Sequence, residues 1–321
     1  MKQEAKRLLA VNVLYALIPL LLMLLPMVLE KIEVQMEAYG AAYSAYLVLT
    51  ELFVIVLPAV IWLLTPHGRD NAKDFWRDKP TAAILLVIPL SVCAYFAVNS
   101  LTIMWFILLN QFGITQMPQT VPSPQNTAQF LTGLAVIAAV PALCEEFFFR
   151  GILQPALHRQ MKPWVAIVLG GCLFGLAHGQ IIALPGHVLL GMMLCFAAYW
   201  TRSVWYTMLW HVMQNGIAVL ITYMETFSQS GVDAEASLAM LTEQPLMMLF
   251  SSAMLLGFFG VAAVGFLVLL LIATRKHHKE SRPQQAEERV PWWAYAPLIA
   301  ALGCIVYLYI TGTIPLMGGG A

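Results

Sequence analysis

Charge is the scarcest thing in this sequence: of 321 residues only 11% are Asp, Glu, Lys or Arg, while 60% are hydrophobic and the mean hydropathy is +0.76. A soluble domain carries about a quarter charged residues. An ordinary water-soluble fold is therefore excluded, and lipid is the solvent this chain is built for. The formal net charge is zero, which removes the basic field that a nucleic-acid partner requires. The five cysteines (Cys93, Cys144, Cys172, Cys195, Cys304) lie in apolar runs and form no CxxC pair. That excludes a disulfide framework and a Cys-ligated zinc site, and leaves them as small packing residues. Aspartate is confined to Asp70, Asp74, Asp78 and Asp233, all in polar linkers, so a membrane protease built on paired aspartates is excluded. Neither H-E-x-x-H nor G-x-S-x-G occurs, which removes the zincin-type zinc protease and the nucleophile-elbow serine hydrolase.

What is present is apolar length. Predominantly apolar runs fall near 8–29, 42–64, 81–109, 128–149, 164–182, 186–201, 204–224, 246–273 and 292–311. About 20 such residues span a bilayer as a helix, and backbone groups in lipid must bond within their own segment. The expected fold is all-α: a polytopic transmembrane helical bundle of about nine spans, one membrane domain over 1–321. The linkers carry helix breakers at Pro66, Pro80, Pro118, Pro122, Pro124, Pro163, Pro185, Pro245 and Pro291. Lys2, Lys6 and Arg7 precede the first run as in a signal peptide, but the run has spanning length and no small-residue cleavage site follows. A retained first helix is expected. With the N-terminus cytoplasmic, the inner segments hold 16 of the 17 Lys and Arg and only Lys31 lies outside, as the positive-inside bias requires. The expected location is integral and multi-pass, in a bacterial or archaeal plasma membrane. Runs 164–182 and 186–201 are joined so tightly at Leu184-Pro185-Gly186 that they read as a hairpin that does not fully cross.

Against this apolar background, ionisable groups need a reason, since each costs at least about 2.5 kcal/mol at a helix centre. Glu51 is read as lying near the outer end of the second run, snorkelling to the interface without chemistry. Glu145 and Glu146 interrupt the fourth run. Arg150 follows Glu146 at i+4, where it can pair with that carboxylate, whereas Glu145 points about 100° away. Glu146 with Arg150 then reads as a buried structural ion pair, and Glu145 as a free carboxylate suited to general-base work. The plain alternative is a wet helix end. In the fifth run His178 stands four residues after Phe174, beside glycines at 171, 175 and 179 that would let a neighbouring backbone approach closely. In the seventh, His211 and Asn215 share a helical face. A packing histidine and an interhelical asparagine would account for these singly. His187, beside a turn, and His158, in a linker, read as wet. Taken together, a base, two imidazoles and an amide on three helices make the inventory for activating water and holding an oxyanion.

In order, Glu145-Glu146-x-x-x-Arg150, Phe174-x-x-x-His178 and His211-x-x-x-Asn215 resemble the CPBP family, the CAAX-processing and bacteriocin-processing intramembrane endopeptidases that include type II CAAX prenyl proteases. The resemblance covers roughly 128–223, a family-like catalytic core, with 1–127 and 224–321 as accessory transmembrane helices. It implies hydrolysis of a peptide bond in a membrane-associated or lipidated substrate. By the same resemblance Glu145 and His178 activate water, His211 and Asn215 stabilise the oxyanion, and Glu146, Arg150 and Phe174 support them. The mechanism it favours uses no cofactor, although Glu145, His178 and His211 form a two-His-one-carboxylate set that would suit a divalent metal such as zinc. Nothing in these residues selects a prenylated peptide over another, and the oligomeric state is left open.

Depth is the strain in this reading. With Trp164 at the inner face, His178 lies ~21 Å deep and His211 about 10 Å deep, while Glu145 sits at the inner face if its helix ends at residue 149. A shared site requires that helix to continue past Arg150, as far as about Pro155. The rival readings are a non-catalytic immunity or partner-binding membrane protein on the same fold and an ion-coupled transporter. The second lacks the similar halves that transporters show.

Overall fold

The computed structural model describes residues 3–31, 36–66, 68–69, 76, 78–114, 121–227, 243–275 and 290–313. Among the described residues nine helices account for the nine apolar runs, and no strand occurs. They are α1 (Gln3–Lys31), α2 (Ala41–Leu63), α3 (Ala82–Asn110), α4 (Thr127–Gln160), α5 (Pro163–Ala177), α6 (Leu184–Thr201), α7 (Val204–Phe227), α8 (Pro245–Ala273) and α9 (292–313). Pro163, Pro185 and Pro245 occupy the first turns of α5, α6 and α8, where a missing N–H costs nothing. Among the described residues six helices (α1, α2, α3, α4, α6 and α8) are long and apolar enough to cross a bilayer. The chain is an integral, multi-pass helical bundle.

Three of the prolines inside helices share a mark. Pro58, Pro141 and Pro155 each follow a widened π turn, at Glu51–Val56, Leu134–Ala139 and Phe149–Leu153. A proline ring crowds the carbonyl four residues back and cannot donate to it. Widening the turn to an i→i+5 pattern relieves that crowding without ending the helix. α4 therefore runs unbroken through Arg150 and Pro155 to Gln160. The extension that a shared site required is present. Phe148, Phe149, Ile152 and Leu153 are all buried in the core.

The hairpin of α5 and α6 is the closest helix pairing near the site. A Cβ on Gly171 would come within 2.7 Å of the Met192 backbone nitrogen, and one on Gly191 within 2.9 Å of the Gly171 carbonyl oxygen. Only glycine lets the two backbones meet at that distance. Gly179 is not part of this stripe, contrary to the sequence expectation. It sits at φ +64°, in the left-handed region that suits a residue just past a helix end. α5 accordingly stops at Ala177 rather than 182, and its 15 residues reach only ~22 Å, short of a bilayer core of about 30 Å.

α4 is the hub. α7 packs along its middle, the π turn of α2 packs against 140–148, and α3 packs on α6, α7 and α8. α1 packs against α9, where the Asn12 amide donates to the Ala294 carbonyl at 2.8 Å, and the Tyr15 hydroxyl donates to the Leu173 carbonyl of α5 at 2.9 Å. The outer face of α8 is bare, with Leu246, Phe250, Phe258 and Val261 each two-thirds or more exposed, as a lipid-facing surface should be. Lys2, Lys73, Arg77, the 276–289 stretch and most of the acidic 225–243 loop, on which the expected orientation leaned, lie outside the described residues.

Candidate functional site

Glu146 and Arg150 are both fully buried and pair at 2.8 Å between Nη1 and Oε1. Burying two charges is costly unless each is paired and hydrogen-bonded; here Glu146 Oε1 and both terminal nitrogens of Arg150 have partners, while Glu146 Oε2 and Arg150 Nε have no hydrogen bond among the described residues. Arg150 Nη2 also donates to the Gly191 carbonyl at 3.1 Å, tying α4 to α6 at the glycine contact. Its guanidinium lies 4.5 Å from the Phe174 ring centroid and 5.7 Å from that of Phe149, a cation–π arrangement that replaces hydration on the remaining faces.

Glu146 does more than the sequence indicated. His211 Nδ1 lies 3.0 Å from the same Oε1, so the carboxylate holds α7 as well as Arg150. A buried carboxylate accepts, so His211 Nδ1 carries the proton and the ring's Nε2 is left for the cavity. His211 is expected from the sequence to act with Asn215 or in a metal set with Glu145 and His178; the structure makes it also the second partner of the ion pair.

His178 owes its setting to the end of α5. Its backbone N–H reaches the Gly175 carbonyl at 3.4 Å, a tightened last turn that frees the Phe174 carbonyl. The His178 ring then fills that vacancy, with Nδ1 2.9 Å from Phe174 O. Final-turn carbonyls need such partners, and this one fixes Nδ1 as the donor. Nε2 then faces Glu145 Oε2 at 3.7 Å, too long for a direct hydrogen bond and short enough for one water to touch both. Phe174 is wholly buried, with its ring 4.7 Å from that of His178 and 5.5 Å from that of His211. It spaces the two imidazoles and braces Arg150.

His178, His211 and Asn215 line one cavity of about 380 Å³ together with Gln180, Gln214 and His187. Glu145 stands behind His178, mostly buried, with Oε2 hydrogen-bonded to nothing among the described residues. His178, His211 and Asn215 thus share one cavity with Glu145 beside it, and Glu145 and Glu146 meet different partners, in keeping with their 100° offset.

Three expectations are corrected. His187 is not a wet turn residue: it starts α6, lines the cavity and stacks on His178 with centroids 4.2 Å apart and planes 22° apart. Glu51 does not snorkel. It lies midway along α2 at the start of a π turn, is buried, and falls within electrostatic reach of Glu145. His158 is buried on α4, stacked on Tyr199 with centroids 4.8 Å apart. No sequence motif marked any of the three. Pro58 and the helix-starting Pro185-Gly186 were the only local signals near Glu51 and His187.

The proposed metal set fits in chemistry but not in place. Two imidazoles with Nδ1 committed to donation and a carboxylate are the usual donor types. Yet among the described residues no group of three His, Cys, Asp or Glu side chains is arranged to hold an ion, since His211 is drawn to Glu146 and Phe174 stands between the imidazoles.

Fold and site together define a class: a polytopic membrane protein with a polar cavity lined by α3, α6 and α7 and by His178 at the end of α5. Within it, residues 127–217 match the family model of the type II CAAX prenyl endopeptidases, Rce1-like. The matched segment, that of a protease family, begins at α4 and ends two residues after Asn215, so it contains every residue of the expected set. The chain is also 22% identical over 170 residues to "Putative membrane peptidase YdiL" of Bacillus subtilis (strain 168), covering 53% of this chain and 68% of that one. No solved structure matches.

Proposed function

We propose that this protein is an intramembrane endopeptidase of the glutamate type, cleaving a peptide bond in a membrane-associated substrate. The observation that carries the proposal is the 3.7 Å approach of Glu145 Oε2 to His178 Nε2, beside a cavity that His211 and Asn215 also line. Both Glu145 and the neutral His178 ring present lone pairs across that gap, so a water between them can donate one hydrogen to each. Glu145 takes a proton as the oxygen attacks the peptide carbonyl, and returns it to the leaving amine.

The developing oxyanion needs donors. Asn215 supplies an amide N–H. His211 supplies one at Nε2 only as the imidazolium, and the Glu146 carboxylate on Nδ1 is placed to stabilise that form, much as a carboxylate supports histidine in a catalytic triad. Glu146 and Arg150 therefore act through His211 rather than on substrate. The substrates to test first are peptides with a C-terminal lipidated cysteine, since the matched family is one of CAAX prenyl endopeptidases; the cavity residues select no particular lipid. The 128–223 region is the proposed catalytic core and the remaining helices its accessory frame, in a bacterial or archaeal plasma membrane.

The test is cleavage of prenylated and unprenylated peptides by purified protein in lipid, wild type against Glu145→Gln, with and without chelator. Wild-type cleavage lowered about 10³-fold by the substitution and unaffected by chelator is expected. Full activity in Glu145→Gln removes the glutamate mechanism, and loss of wild-type activity on chelation transfers the water to a metal.

A further inference from the structure

The cavity holds a third imidazole that no motif accounts for. His178 and His211 are alike in one respect: each commits Nδ1–H to a fixed acceptor, Phe174 O or Glu146 Oε1. In their neutral forms both therefore offer lone pairs, not protons, to whatever enters. A peptide main chain entering such a cavity brings carbonyl oxygens that need donors at once, before any imidazolium forms.

His187 has the opposite disposition. Its Nδ1 is closed off from solvent and has no hydrogen-bond partner among the described residues. A buried N–H left without an acceptor is costlier and rarer than a bare acceptor, so the proton belongs on Nε2. That nitrogen is the one the cavity receives, because the ring lines the cavity wall beside Gln180 and Asn215. The ring is also held in plane. It lies face to face with His178 at 4.2 Å, it sits in the first turn of α6, and its backbone N–H is bonded to the Ala183 carbonyl at 3.0 Å. The neighbouring Gly186 is pressed so close to Thr102 of α3 that a Cβ there would overlap its hydroxyl, which leaves this turn little room to swing.

We infer that His187 is a further substrate-contacting residue of the site, a neutral imidazole whose Nε2–H donates to a carbonyl oxygen of the bound peptide main chain while its face holds the His178 ring in register. This rests on the hydrolase reading for its substrate, but not for its tautomer.

Two measurements test it. In ¹⁵N-histidine NMR of the full-length protein in lipid, the signal lost in His187→Phe is expected to be the Nε2–H tautomer, with His178 and His211 as Nδ1–H. An Nδ1–H assignment for His187 overturns the inference whether or not any peptide is cleaved. In kinetics with a peptide that the wild type cleaves, His187→Phe keeps the stacked ring without the donor and is expected to lose about 10²-fold in kcat/KM. His187→Gln, which restores an N–H without the stack, recovers most of that loss. Wild-type rates in His187→Phe reduce His187 to packing and overturn the inference. So does a Gln variant as poor as Phe, which would make the residue purely a brace. A wild type that cleaves no peptide sinks the hydrolase reading alone, and the spectrum then decides His187 by itself.

Discussion

Helices α4 and α8 are of similar length, 34 and 29 residues, and both are long apolar segments, yet they solve opposite problems. α8 has no charged side chain, no interior proline and no widened turn, and it turns Phe250, Phe258 and Val261 outward. Its backbone satisfies itself and its side chains need only lipid. α4 carries Glu145, Glu146 and Arg150, two interior prolines and two π turns, with Glu146 and Arg150 wholly buried. The difference teaches where polarity is tolerated in a bilayer. It is held where each charge meets a partner from another helix: Arg150 with Gly191 of α6, Glu146 with His211 of α7. Glu145 differs: it faces His178 Nε2 at 3.7 Å, beyond a direct hydrogen bond, and it is the proposed working group.

The contrast can be broken at several points. Glu146→Ala strips the partner from both Arg150 and His211 and leaves a buried guanidinium unpaired, at a cost of about 3–5 kcal/mol. Thermal unfolding in detergent should show a large loss, and a melting point within a degree of wild type would mean that water already reaches the pair. His178→Ala should leave melting nearly unchanged while lowering turnover by about 10²–10⁴-fold; an equal fall in folded protein would recast His178 as the α5 cap it also is. Asn215→Ala is expected to lose about 10²-fold in kcat with little change in KM, and a pure KM effect would move Asn215 from oxyanion to ground-state binding. Gly171→Ala should cost about 1–3 kcal/mol by overpacking against Met192, seen as a lowered melting point. On α8, Phe258→Leu should stay within about 0.5 kcal/mol of wild type. A larger drop there would show that this face meets protein rather than lipid.

How much of the site could be read in advance depends on whether the cause is local. The pairing of Glu146 with Arg150 follows from i,i+4 spacing on one helix, and the divergence of Glu145 from 100° per residue. Both are properties of the chain within one turn. The bond from His211 to Glu146 spans 65 positions and depends on how α7 is rotated against α4. The stacking of His187 on His178 depends on a turn of a few residues closing at Gly179. Neither had a periodic signature. Glu51 was misplaced for the same reason: an apolar run reports that a segment is buried in something, but not which of its faces meets protein.

By itself, then, the sequence determined the solvent, the nine helices and the order of the polar motifs. Apolar length and charge scarcity act residue by residue, and a bilayer leaves helices as their natural outcome. The tertiary structure alone decided that α4 passes through two prolines by widening its turns, that α5 stops at Ala177, and that His178 just past it meets the histidines of α6 and α7 in one cavity. These depend on the rotation and closeness of helices, which are set by packing at glycines such as Gly171 and Gly191 and by partners far apart in the chain.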